Sequence, residues 1–89
     1  MASLFVRAQV KDFQAWKKVY DEAADLRSSF GGGADRIYRD ESDPNTYTAI
    51  IEWDSIENAK RYSQSPELKT AMERAGVLGP PTVHYLNEA

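Results

Sequence analysis

The segment FGGGADRIYRDESDPNTYTAIIEWDS, residues 30–55, decides the fold. Its glycine triplet, Gly31-Gly32-Gly33, stops a helical pattern, because glycine enters left-handed backbone conformations without steric cost. Beyond it, Ala34 to Arg39 and Thr46 to Trp53 alternate with the period of two that marks strands. An Asp43-Pro44-Asn45 corner joins the two runs, a composition suited to a tight turn. Working outward, an alternating run from Ser3 to Gln9 and an amphipathic stretch from Asp12 to Phe30 precede this hairpin. A second helical region, Ser55 to Ala75, follows it. Gly76 and Gly79-Pro80-Pro81 then release the chain into a short strand, Thr82 to Leu86. The order of breaks predicts one sheet with its helices on a single side.

Eighty-nine residues make one domain, residues 1–89. A chain this short buries only roughly 60–65% of its unfolded surface, so its stability margin is thin. With no cysteine, neither disulfides nor thiolate metal sites are available, and oligomerisation is the remaining common way to enlarge the core. Eleven Lys+Arg against 14 Asp+Glu give net charge −3, which argues against a nucleic-acid footprint. The amino terminus lacks the basic start and apolar run of a secretory signal. No apolar stretch approaches the roughly 20 residues of a membrane span. These features lead us to expect a soluble cytoplasmic domain that binds neither nucleic acid nor membrane.

Asp12 is a good N-cap for the first helix, although Ala15 at the third helical position gives no capping box. Phe13, Trp16, Tyr20, Ala23 and Arg27 form one stripe, with Val19, Leu26 and Phe30 beside it, a face wide enough to lie on a sheet. The second helical region carries two starts. Asp54-Ser55-Ile56-Glu57 reads as a capping box with Asp54 at the N-cap. Ser65-Pro66-Glu67-Leu68 restarts the helix with proline at its first turn, and residue 65 is pushed out of helical geometry. Ile56, Ala59, Tyr62, Leu68, Ala71, Met72 and Ala75 are its expected buried positions.

The strands are apolar on both faces. Leu4, Val6 and Ala8 alternate with Phe5, Arg7 and Gln9, while Tyr47, Ala49, Ile51 and Trp53 alternate with Thr48, Ile50 and Glu52. A sheet wetted on one side should be polar there. Phe5 and Ile50 break that rule, so the second face needs a cover.

A βαββαβ order with helices on one face of a four-stranded antiparallel sheet is the α+β ferredoxin-like arrangement. Trp16, Ile37-Tyr38-Arg39-Asp40, Ile51-Glu52-Trp53-Asp54-Ser55, Ser65-Pro66-Glu67-Leu68 and Gly79-Pro80-Pro81-Thr82-Val83 add a closer likeness. In these the chain resembles the antibiotic biosynthesis monooxygenase-like proteins of the dimeric α/β barrel superfamily, over nearly its whole length. The resemblance implies a homodimer in which two sheets pack through their helix-free faces and close into a barrel. Independently of it, an uncovered four-stranded face exposes a few hundred Å² of apolar area, about what a soluble monomer tolerates. An isologous dimer removes that area on both copies.

By the period of two, Arg7, Gln9, Arg36, Tyr38, Thr48, Ile50, Glu52 and His84 share the face away from the helices. They read in two ways. They can serve a ligand cleft, with Arg7, Arg36 and Glu52 as charge partners and Tyr38 and His84 as proton-handling groups; or they can form rim ion pairs that set dimer register. His84, the only histidine, titrates near neutrality and suits a general base, and is equally suited to packing at a strand edge. No second histidine, cysteine or Glu-x-x-His pairing completes a metal site. Trp16 and Trp53, with Tyr20, Tyr38 and Tyr62, can stack on a flat aromatic ligand or close the core. The glycine triplet follows a helix and lacks a Gly-Lys-Ser/Thr end, so it is a helix terminator and not a phosphate loop.

Two functions fit. The resemblance implies a cofactor-independent monooxygenase or related enzyme on a small aromatic or polyketide-like molecule, with Tyr38, Arg36 and His84 as catalytic candidates. Arg7, Glu52, Trp16 and Trp53 are then candidate ligand contacts. The alternative is a non-catalytic dimeric barrel that binds a small ligand or acts in assembly. The heme-degrading branch pairs a strand-one asparagine, and a strand-three tryptophan that Trp53 matches, with an iron-ligating histidine on the second helix. Arg7 and Gln9 stand at the asparagine position and no histidine lies in Ser55 to Ala75, which argues against that chemistry.

Overall fold

The computed structural model describes all residues, 1–89. It contains β1 (Ala2–Val10), α1 (Phe13–Glu22), α2 (Ala24–Phe30), β2 (Gly32–Arg39), β3 (Thr46–Trp53), α3 (Ile56–Ser63), α4 (Pro66–Arg74) and β4 (Val77–Asn87). The four strands form one sheet in the order β2-β3-β1-β4, every neighbouring pair antiparallel. This is the expected ferredoxin-like layout.

The alternation read from the sequence sorts the side chains as anticipated. Leu4, Tyr47, Ala49, Ile51 and Trp53 are buried beneath the helices. On the opposite face the cross-strand partners run His84–Phe5–Ile50–Arg36 and Thr82–Arg7–Thr48–Tyr38. Tyr38, Leu78 and Leu86 are 48%, 44% and 43% exposed there, and the Phe5 and His84 rings lie 5.5 Å apart. No helix covers this side.

Each helical region is two short helices. The break at Ser65 follows the sequence: its hydroxyl accepts from the Leu68 N–H at 3.2 Å, with Pro66 directly behind. The break at Ala23 was not anticipated. The Arg27 guanidinium donates to the Tyr20 carbonyl at 2.8 Å and satisfies an acceptor at the end of α1, so the helix can stop there and restart. The N-cap of α3 is Ser55, which accepts from the Asn58 N–H at 3.1 Å. Asp54 instead accepts from the Asn58 side chain at 2.9 Å, so the N-cap lies one residue later than expected and the reciprocal capping box does not form.

Both edge strands are longer than the alternation suggested, because each absorbs a bulge. Gly32 faces Trp53 and Asp35 faces Ile51, leaving Gly33 and Ala34 together opposite Glu52. Leu78 faces Gln9 and Thr82 faces Arg7, so Gly79, Pro80 and Pro81 together oppose Ala8. Prolines are tolerated here because β4 is an edge strand, where a missing N–H breaks no ladder. At the hairpin corner the Asp43 carboxylate accepts from the Asn45 N–H at 3.1 Å and from the Thr46 hydroxyl at 2.7 Å. Asn45 accepts from the Phe13 N–H at 3.0 Å and so ties this corner to the start of α1.

Of the triplet, only Gly31 is left-handed, with φ 105°, and an added Cβ would lie 2.5 Å from the Asp54 carboxylate. At Gly33 the nearest atom to such a Cβ is 3.7 Å away. Gly31→Ala should therefore cost about 1–3 kcal/mol of stability in urea denaturation, against less than about 0.5 kcal/mol for Gly33→Ala. Equal effects would contradict this account of the turn.

Candidate functional site

The helices do not fill the layer they cover. Between α1, α3, α4 and the sheet lies a cavity of about 80 Å³, room for two or three waters at roughly 30 Å³ each. Its floor is Leu4, Val6, Tyr47, Ala49, Ile51 and Val83 of the sheet. Leu68, Ala71 and Met72 of α4 close it from one side. No residue of α4 is fully buried, so this wall is the least firmly held.

Trp16, Tyr20 and Tyr62 give the remaining walls their aromatic part, beside Val19, Ala23 and Ala75. Trp16 stacks on Tyr47 with centroids 3.9 Å apart and on Tyr20 at 5.0 Å. Spacing of three and four residues along α1 places Phe13, Trp16 and Tyr20 in one row, which the amphipathic stripe foretold. Tyr62 of α3 enters from the other end and leans on Trp53 at 5.0 Å.

Few strongly polar groups reach the cavity. Tyr20 donates its hydroxyl to Asp35 at 2.5 Å. The Ser63 hydroxyl shares a hydrogen bond with the Tyr85 hydroxyl, also at 2.5 Å. Arg27 lies over the Tyr20 ring, 3.7 Å from its centroid, and is only 8% exposed. No histidine, aspartate or glutamate lines the space. No group of three or more His, Cys, Asp or Glu is placed to hold a metal ion.

Burial keeps the phenols neutral. It raises Tyr20 far above the ordinary phenol range, and the hydrogen bond to the Asp35 carboxylate adds to the shift. Burial pushes Tyr47 up to about 12 against an opposing contact from Trp16, and pushes Tyr62 up against the pull of Arg27. At neutral pH the tyrosines are hydrogen-bond donors and not bases.

Of the residues singled out in the sequence, the structure brings Trp16, Tyr20 and Tyr62 to the cavity. Trp53 lies next to them in the core, 1% exposed, and its indole N–H has no partner. Tyr38, Arg36, His84, Arg7 and Glu52 gather on the helix-free face, across the sheet from the cavity. There Arg7 pairs with Asp40 through two hydrogen bonds, at 2.8 and 2.5 Å, and also donates to Thr48. That pairing raises Arg7 and lowers Asp40. Arg36 and Glu52 form no ion pair within the chain. Tyr47 and Arg27 were not read as site residues. The available signal was Arg27 itself, a charge on an otherwise apolar stripe.

With this geometry in place, the chain can be compared with known proteins. Residues 2–74 match the family model described as antibiotic biosynthesis monooxygenase, leaving β4 outside the match. No curated protein matches the sequence. Among solved structures, a Bordetella bronchiseptica protein named for the antibiotic biosynthesis monooxygenases superimposes with TM-score 0.81 at 17% identity, covering 99% of this chain and 96% of its own. SnoaB, a cofactor-independent oxygenase from Streptomyces nogalater, gives 0.79 at 14% identity, over 99% and 92% of the two chains. A conserved protein from Methanosarcina mazei gives 0.76 at 13%, over 99% and 92%. At these identities the likeness is one of fold.

The buried phenols also set a pH limit on stability. Above about pH 10 the unfolded chain sheds phenolic protons, whereas the folded chain keeps that of Tyr47 until about 12. Their contribution is complete below the unfolded value and is lost as pH rises through the folded one. The urea midpoint should fall steadily between about pH 10 and 11.5; a midpoint that does not move would contradict the burial of these phenols.

Proposed function

The chain belongs to the antibiotic biosynthesis monooxygenase family, and from that premise we propose that it is a homodimeric, cofactor-independent monooxygenase or a closely related enzyme. Its substrate is a flat aromatic or polyketide-like molecule taken up beneath α4. The observation that carries this reading is the apolar, aromatic-walled cavity between helices and sheet, with a few convergent polar groups. At about 80 Å³ it is smaller than the roughly 150 Å³ cavity that accepts benzene, so a flat ring needs the walls to give, and α4 is the wall with no buried residue.

The chemistry suits such a site. A methylene activated by a neighbouring phenol or enol loses a proton to water, and the carbanion passes one electron to dioxygen. Radical and superoxide then join at carbon. The peroxide takes up a proton and loses water, so that one methylene and one dioxygen become one ketone carbonyl and one water. The substrate supplies all the electrons. The neutral hydroxyls of Tyr47 and Tyr62 can donate to an oxygen of the substrate or peroxide, and Trp16 and Tyr47 hold the ring in place.

In this reading the helix-free face belongs to the dimer. The His84–Phe5–Ile50 row meets its copy, and Arg36 and Glu52, opposite in sign and unpaired in one chain, can pair reciprocally across the two-fold axis. A second reading, a ligand-binding barrel without catalysis, is favoured by one observation: no general base lines the cavity.

Oxygen consumption with anthrone-type substrates separates the two. Ala71→Phe, which fills the cavity from α4, should lower the rate at least about tenfold, the loss expected when a substrate no longer reaches its reactive position. Tyr38→Phe and His84→Ala should leave it within about twofold. Binding without oxygen uptake would favour the second reading. Loss of activity in the Tyr38 or His84 variant would move the chemistry to the open face.

A further inference from the structure

Arg27 is the one formal charge that lines the cavity. It is 8% exposed, and none of the three ion pairs in the chain includes it. A buried cation with no anion beside it is costly unless something offsets the charge. Part of the offset is visible. One nitrogen donates to the Tyr20 carbonyl at 2.8 Å, at the negative end of α1. The guanidinium plane also lies over the electron-rich Tyr20 ring, 3.7 Å from its centroid, and its charge and a side-chain hydrogen bond oppose the burial that raises the Tyr62 phenol. A guanidinium has five N–H donors in a planar fork matched to oxyanions, and these contacts do not exhaust them.

Capping the end of α1 would not by itself require arginine to be buried at the cavity wall. The only carboxylate that touches this cluster, Asp35, takes the Tyr20 hydroxyl and leaves the guanidinium unpaired. The walls themselves carry no negative group, so an anion at the guanidinium would come with the ligand.

We infer that Arg27 is the anion-recognising group of this cavity, and that its ligand is a flat apolar ring bearing one oxyanion, a phenolate or carboxylate, held against the guanidinium. The inference rests on the proposed function in one respect, that the cavity is the ligand site, and adds the class of molecule it selects. For an oxygenase the assignment has a direct consequence: a substrate bound as its phenolate is already the electron-rich species that reacts with oxygen. This compensates for the absence of a base in the walls.

The test is a comparison of anionic and neutral probes of the same shape. Binding of 4-nitrophenolate and 2-naphthoate is measured against 4-nitroanisole and methyl 2-naphthoate, at a pH where both acids are ionised. The wild-type protein should bind the anions about ten- to a hundredfold tighter, the value of a hydrogen bond to a charged group. Arg27→Gln should abolish the preference while leaving affinity for the neutral probes nearly unchanged, and Arg27→Lys should restore part of it. Which anion binds tighter distinguishes phenolate from carboxylate ligands.

Equal affinity for anions and neutral probes in the wild type, or an undiminished preference in Arg27→Gln, would overturn the inference while leaving the cavity as a ligand site. No binding of any probe would overturn both. Should Arg27→Gln fail to fold, the wild-type ratio and a crystal structure with 4-nitrophenolate decide the matter. Its oxygen should lie about 3 Å from a guanidinium nitrogen, and an oxygen placed away from Arg27 would refute the assignment.

Discussion

This fold is governed by a mismatch between two faces and one layer of cover. All four strands carry apolar side chains on the helix face, and β1, β3 and β4 carry Phe5, Ile50, Leu78 and Leu86 on the other. The four short helices suffice for one face only, and even there they leave a cavity. Both candidate regions, the cavity beneath the helices and the open face, follow from that shortage. The sheet is the firm element, since Leu4, Val10 and Trp53 are its most completely buried side chains.

Much of this was legible because period and punctuation agree. The alternation in residues 46–53 assigned each side chain to its face, and Ser65-Pro66 marked a break that the structure contains. The break at Ala23 was hidden because it depends on a tertiary contact: the apolar stripe runs through it uninterrupted, and only the reach of Arg27 back to the Tyr20 carbonyl explains it. The bulges in β2 and β4 were hidden for a related reason. Glycine and proline signal an interruption, but whether the chain leaves the sheet or bulges within it depends on the neighbouring strand. Pairing with β1 keeps Gly79-Pro80-Pro81 inside β4.

The candidate site was only partly legible. Aromatic residues at helical spacing announced a wall, and Trp16, Tyr20 and Tyr62 were read as potential stacking groups. Whether such a wall encloses space or packs solid depends on volumes, which no pattern records. Polar residues on the strands were equally visible, but their period placed Tyr38, Arg36 and His84 across the sheet from the cavity. The arginine that does line it sat in the first helical stripe, conspicuous by charge and easily taken for a helix-end cation. Arg27 serves both ends: it closes α1 and gives the cavity its only positive charge.

The proposal most exposed to test is that the open face is shared. Arg36 and Glu52 lack ion-pair partners within the chain, and Phe5 and Ile50 lie on the same face. Sedimentation velocity at micromolar concentration measures the outcome directly. The account predicts a single species of about twice the 10.0 kDa chain mass. A stable, soluble particle of one chain mass would contradict it.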